Sequence, residues 1–350
     1  MLKRIALVLL IAVFAVGALT AAGQKEGAKA EKKYTFYFFS VGFWHPFLIA
    51  NIHGAQEAAA KYPIDLVVLD GRNDPGFQAN QVITAIAKKP DMFIIDCVTE
   101  QGLVPALKEA QKAGIPVFCT DRDVADFSLR LGHVGSSQVQ IGNQAGQYAV
   151  DYLQKSGRPK PWKVVVLQGQ VGNIGNTERV KGWYDKLNPL IKSGDIKIVA
   201  EEAADFAREV AITKMQQILV KTKDIDLILA GNDAEAIGAS IALEAAGLKP
   251  GVDVQLVGVD SDPDGMQAIK DGKMLATVAH QAWLQGDWAV EMGWKYLQEG
   301  KKPPIDKWPN SDIITASFVV DKTNVDKFGP FGEPLRKQPT DPITAPPLPY

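Results

Sequence analysis

Cysteine is nearly absent from this 350-residue chain: Cys97 and Cys119 are the only two, and no CxxC spacing marks a zinc or redox site. Histidine is almost as scarce, and His45, His53, His133 and His280 lack the spacing of a metal motif. No HExxH or GxSxG occurs, so the common zinc-protease and serine-hydrolase signatures are missing. A surplus of one charge is lacking too: 38 Lys and Arg face 40 Asp and Glu, a formal net charge of −2. A protein held to nucleic acid by phosphate neutralisation needs a basic surplus or stripe, and that class drops out. No apolar run reaches the ~20 residues needed to span a bilayer. What is present is an ordinary globular balance, 46% apolar and 22% charged, with length for about two domains.

The chain opens with Lys3 and Arg4, an apolar run from Ile5 to Val16, then small residues through Gly23. That order describes a secretory signal over 1–22, cleaved near Ala22; an uncleaved anchor would need a longer run. Leu19-Thr20-Ala21-Ala22 is similar to a lipoprotein box, but Gly23 stands where the lipidated cysteine would be. The expected location is therefore periplasmic or otherwise extracytoplasmic, with no lipid anchor. Residues 23–33 read as a flexible lead, and the Pro-rich stretch 326–350 as a poorly packed tail. Cys97 and Cys119 would meet an oxidising environment. They are either bridged or, as favoured here, buried thiols, because bridging adjacent parallel strands is awkward.

Between these ends, strand and helix patterns alternate. Short apolar runs at 34–41, 65–70, 92–97, 117–120, 163–168, 197–203, 227–230, 255–259 and 276–280 read as strands buried on both faces. Segments of helical spacing lie between them, at 46–62, 76–89, 103–113, 138–155, 178–190, 208–220, 235–246 and 284–298. The alternation predicts an α/β fold of two doubly wound parallel-sheet domains. Polar residues collect at strand ends: Asp96, Asp121-Arg122, Asn232-Asp233, Asp260 and His280. Ligand crevices of open α/β sheets lie there, although any one such Asp or Asn is also a good helix cap.

HPF (45–47), GAQEAA (54–59), LVVLD (66–70), GIPVFCTDR (114–122), VVVLQG (164–169), TERVKGW (177–183), ADF (204–206), GND (231–233) and GVDSDPDG (258–265) follow in order. In that order and spacing, the chain resembles the ribose-type sugar-binding proteins of bacterial ABC importers, from about Tyr34 to Val320. The resemblance implies the type I periplasmic binding fold, two Rossmann-like lobes joined by three hinge strands near 135–137, 280–283 and 313–317. The lobes would be 34–136 plus 281–313 and 137–280 plus 314–325. It implies a non-enzymatic carrier with no cofactor and no metal, a monomer that passes a small sugar or polyol to a membrane permease. A chemoreceptor is a further partner, and a sugar or quorum-type signal receptor is the alternative function.

Carried over by position, the ligand contacts fall on Phe47, Asp121, Arg122, Arg179, Phe206, Asn232 and Asp260. Four positions depart from the ribose pattern: His45, Asp96, Leu48 and His280; Trp44 is an unusual neighbour of the Pro46-Phe47 turn. His45, Asp96, His280 and Trp44 join the candidate site. The chemistry is coherent: aromatic rings take the C–H faces of a sugar, carboxylates accept from hydroxyls, and guanidinium groups donate in fixed forks.

Other constellations are weaker. Gly169, Gly172 and Gly175 follow a strand as G-x-x-G-x-x-G, neither a dinucleotide turn nor a phosphate loop, and read as a flexible cleft loop. Asp260, Asp262, Asp264 and Asp271 imitate a calcium loop, but Pro263 interrupts it and a capped helix explains it better. Trp283, Trp288 and Trp294 fall near one helix and read as packing. Asp96 with Asp121 as a glycosidase pair, and a sugar-responsive repressor, are the remaining alternatives; the repressor would need a helix-turn-helix where the signal stands.

Overall fold

The computed structural model describes residues 33–300 and 312–331. The signal at 1–22, nearly all of the lead and the tail beyond 331 lie outside the described residues.

Two six-stranded sheets organise the described chain. The first has the order β11-β5-β4-β3-β1-β2, from β1 (Tyr34–Ser40), β2 (Ile64–Asp70), β3 (Met92–Ile95), β4 (Val117–Thr120), β5 (Gly132–Ser136) and β11 (Asp312–Thr315). The second has the order β12-β10-β9-β8-β6-β7, from β6 (Trp162–Gln168), β7 (Ile196–Ala203), β8 (Leu227–Ala230), β9 (Gln255–Asp260), β10 (Ala276–His280) and β12 (Ser317–Asp321). The inner strands MFII, VFCT, LILA and QLVGVD are buried along their whole length, as runs of Val, Ile and Leu without alternation demand. The nine helices of the described residues are α1 (Pro46–Ala59), α2 (Pro75–Ile86), α3 (Val104–Lys112), α4 (Gln138–Lys155), α5 (Ile174–Lys192), α6 (Arg208–Lys221), α7 (Asp233–Ala245), α8 (Pro263–Lys270) and α9 (Ala282–Glu299).

Helix starts are set by chemistry at the strand ends. Asp74, Asn173, Asn232 and Asp262 each accept a hydrogen bond from a backbone N–H in the first turn of the helix they precede. Asp262 caps α8, while Asp260 accepts from His280 and Asp264 pairs with Arg208. Gly114, Gly247 and Gly300 adopt left-handed backbone just after α3, α7 and α9.

The chain passes between the sheets three times: β5 to α4, β10 to α9 and β11 to β12. α9 crosses α1 closely; a Cβ on Gly286 would lie 1.9 Å from the Asn51 carbonyl oxygen. α4 crosses α5 in the same way, with a Cβ on Gly182 falling 2.4 Å from the Val139 carbonyl oxygen. The passages are tied together. Ser136 and Thr315 hydroxyls are 2.8 Å apart, and Gln285 Nε2 of α9 donates to both, at 2.8 and 3.3 Å. Gln144 Nε2 of α4 anchors the Ser317 carbonyl at 3.0 Å.

Several expectations need correction. β5 and β11 carry at most two consecutive apolar residues and β12 three, and the strand reading leaves all three out. β12 pairs antiparallel with β10, so the second sheet is mixed rather than wholly parallel. Ile314 and Thr315 pair with Gly135 and Ser136, which carries the first lobe two residues past the expected boundary at 313. α5 begins at Ile174, so Gly175 sits in its first turn instead of in a loop. The tail is packed as far as Phe331: the Phe328 ring is 4.6 Å from that of Phe318, and Phe331 meets Phe47 at 6.4 Å. Cys97 and Cys119 are free and buried; the neighbouring Cys97 thiol and burial together push the Cys119 thiol well up.

Candidate functional site

The carboxyl ends of both sheets open onto one cavity of ~930 Å³. Phe47, Asp121, Arg122, Trp44, His45 and Leu48 line it from the first lobe; Arg179, Phe206, Asn232, Asp260 and His280 line it from the second. Asp96 is the exception among the sequence candidates. It is buried beside Asp121 and Arg122 but is not part of the lining, and burial with the Asp121 charge raises its carboxyl well above the usual range.

Strained backbone marks the same places. Asp121, Phe206 and Asp260 hold φ of 54°, 57° and 107°, conformations that cost side-chain-bearing residues about 1–3 kcal/mol each and persist where the surroundings impose them. For Phe206 the cause is visible. Buried Glu235 of α7 accepts from the Phe206 N–H at 2.6 Å and from the Gly231 N–H at 2.7 Å, pinning the β7–α6 loop to the start of α7. Burial pushes the Glu235 carboxyl up to about 8.

Arg179, on the first turns of α5, is a buried fork. Its Nε and Nη2 donate to Gln138 Oε1 at 3.1 and 2.6 Å, its Nη1 donates to the Gly231 carbonyl, and the guanidinium lies 5.7 Å from the Phe206 ring centroid. Desolvation lowers its pKa, while the Asp260 and Asp121 charges oppose that shift. Asn232 does two jobs at once: Oδ1 accepts from the Glu235 N–H at 2.8 Å as the α7 cap, and Nδ2 donates to the Phe206 carbonyl at 3.2 Å.

Asp260 Oδ1 accepts from His280 Nε2 at 2.8 Å. Burial disfavours the carboxylate, but the His280 hydrogen bond and nearby His45 and Arg179 outweigh it and hold the group below its ordinary range. His280 stacks on Phe47 with centroids 4.3 Å apart, and its Nδ1 is buried with no hydrogen-bond partner. Arg122 donates Nη1 to the Val98 carbonyl at 3.2 Å instead of pairing with Asp121. Trp44 is 55% exposed and lies over Gly42 at the mouth.

The lobes meet at His45. Its Nε2 is 2.8 Å from Asn232 Nδ2 and 3.9 Å from Asp260 Oδ2, and its Nδ1 accepts from the Phe47 N–H at 3.2 Å. Burial lowers the His45 pKa, with Arg122 adding to the effect, so the ring is neutral near neutral pH. A neutral imidazole has one lone-pair nitrogen, yet both nitrogens here face N–H donors. The Asn232 amide cannot turn to resolve this, because its oxygen is committed to the cap.

Positioning residues that sequence reasoning did not reach are Gln138, which backs Arg179, and Glu235, which holds the Phe206 loop. Glu235 had a signal: Asn232-Asp233-Ala234-Glu235 has the spacing of a capping box. Gln138 had none.

A model of the periplasmic binding protein domain matches residues 36–302. The chain belongs to the periplasmic binding protein family. Within it, the ribose import binding protein of Salmonella typhimurium is 33% identical over 265 residues, 75% of this chain and 85% of that protein. The galactofuranose-binding protein of Escherichia coli K12 is 33% identical over 274 residues, 77% and 84% of the two chains. A crystal structure of a galactofuranose binding protein superposes with a TM-score of 0.76 at 30% identity, covering 84% of this periplasmic binding protein and 96% of the other. That of an ABC transporter periplasmic solute binding protein from Actinobacillus succinogenes 130z with bound D-allose gives 0.75 at 26% identity, covering 85% and 100%. The two-lobed α/β architecture is thus the type I fold of this family.

Proposed function

We infer that this protein is an extracytoplasmic solute-binding protein of an ABC importer, which captures a small sugar or polyol between its lobes and releases it unaltered to a membrane permease. One observation carries the reading beside family membership: Asp260, Asn232 and Arg179 of one lobe and His45, Asp121 and Phe47 of the other converge on one cavity. Carboxylate, amide and guanidinium groups around aromatic rings match a ligand with apolar faces and a hydroxyl rim. Each unmatched buried partner costs about 1–3 kcal/mol, which is how such a site rejects a sugar lacking one hydroxyl. The departures at His45 and His280 argue for a sugar other than ribose.

Closure follows from the His45 conflict. Asn232 Nδ2 of one lobe and the Phe47 N–H of the other compete for the one lone pair of a neutral His45. A sugar hydroxyl both donates and accepts, so a ligand in the cavity can bond His45 of one lobe and Asn232 or Asp260 of the other at once. Ligand thereby favours the closed arrangement over an open one, which is the differential interaction a population shift requires. The passages at Ser137, Gln281 and Ala316 serve as the hinge, and the protein acts as a monomer whose closed shape the permease reads. Export through a cleaved signal and location in the periplasm complete the proposal.

A thermal-shift screen over pentoses, hexoses and polyols tests it. At least one compound raises the melting temperature by several degrees in the wild type and by none in Asp260→Ala or Arg179→Ala. An undiminished shift in both variants refutes the site.

A further inference from the structure

We propose that the cleft accommodates two sugar rings, and that the natural ligand is a disaccharide whose second ring lies between the β4–β5 loop and the first turns of α4. This rests on the sugar reading above and deepens it. The lobes already touch, at His45–Asn232 and where the Ile174 N–H reaches Glu100 Oε1 at 3.4 Å, yet ~930 Å³ of cavity remains. A single hexose fills roughly the room of six waters, at ~30 Å³ each. A cavity several times that size holds more than one ring.

The extra space is furnished like the first. Phe127 of the β4–β5 loop lines the same cavity and is 47% exposed, and the buried Arg130 guanidinium covers its ring at 4.7 Å. Phe206 carries Arg179 in the same manner. An aromatic face backed by a buried arginine suits the C–H face of a sugar, and the cavity has two. Hydroxyl partners are at hand: Gln140 and Asn143 on α4 and Gln170 after β6 line the cavity and have no side-chain hydrogen bond among the described residues. Side-chain amides both donate and accept, as a hydroxyl rim requires.

The acidic pair nearest this space already has a partner. Arg130 donates Nε to Asp123 at 2.6 Å and Nη2 to Asp312 at 2.8 Å, while His133 Nδ1 lies 3.6 Å from Asp312. Asp123, His133 and Asp312 are close enough together to hold a metal, but both carboxylates already accept from Arg130. A neutral, hydroxylated group is the complementary guest.

Isothermal titration of the full chain with galactose, glucose and arabinose, and with lactose, galactobiose, maltose and cellobiose, tests this. The expected result is a disaccharide that binds at least tenfold tighter than either of its monosaccharides, about 1.4 kcal/mol. Phe127→Ala, at an exposed position, and Asn143→Leu, at a half-buried one, erase that margin while monosaccharide Kd stays within twofold. A monosaccharide that binds as tightly as every disaccharide overturns the second compartment and leaves the sugar site standing; so does a margin that survives both variants. Absence of binding by every compound overturns the disaccharide proposal, and the sugar reading is then decided by the wider thermal-shift screen.

Discussion

At the scale of single residues, the site is built from side chains whose polar atoms are nearly all spoken for, with a few left waiting. Asp260, held ionised by His280, and Arg179, held by Gln138 and Gly231, are fixed before a ligand arrives. Truncating either leaves buried partners unmatched, and titration should show at least a hundredfold loss of affinity. Glu235 predicts a pH effect. Its carboxyl is raised from 4.5 to about 8, so folding takes up a proton between those values. Its stabilising contribution is complete below about pH 4.5 and is lost as pH rises through about 8, at up to about 1.4 kcal/mol per pH unit. Melting curves from pH 5 to 9 should slope downward in the wild type and flatten in Glu235→Gln. Asp121, Asn232, Asp260 and His280 were legible because they end apolar runs, and Phe47, Arg179 and Phe206 through motif order. Asp96 misled by the same rule: it ends such a run too, but its side chain turns into the protein instead of toward the cleft. Phe127 and Gln138 sit in segments whose local pattern carries no trace of the neighbour they meet, so only three-dimensional proximity reveals them.

At the scale of elements, each lobe uses one close helix crossing beside the cleft. Gly182 against Val139 brings α5 onto α4, and this contact sets where Arg179, one turn earlier, points. Gly286 against Asn51 brings α9 onto α1, whose first residues carry Phe47. Gly182→Ala must push the helices apart, at a cost of about 1–3 kcal/mol. It should lower the melting temperature and also weaken ligand binding, whereas Gly194→Ala, in open space at left-handed φ, should touch stability alone. Denaturation and titration of the two variants check this. Buried strands announce themselves by continuous Val and Ile. GHVGS and DIIT do not, because Ser136 and Thr315 are used for the hydrogen-bonded tie between passages and His133 and Asp312 for the cluster around Arg130. Their pairing is a property of two segments far apart in the chain, which local propensity does not encode.

At the scale of the whole molecule, closure is the testable behaviour. Small-angle scattering should show a smaller radius of gyration with bound sugar, with no such change for Asp260→Ala. Gln285→Ala, which cuts the tie to Ser136 and Thr315, should alter the extent of compaction while leaving the lining of the cavity unchanged.

The three passages also dictate the timing of assembly. The first sheet needs β11 at its edge and α9 on its face, both encoded after the entire second sheet except β12. A nascent chain therefore cannot finish its first half until residue 315 has been made, and the second half waits for residue 321. Both sheets are therefore completed only near the end of synthesis, and a chain cut short before residue 312 would leave each without an edge strand.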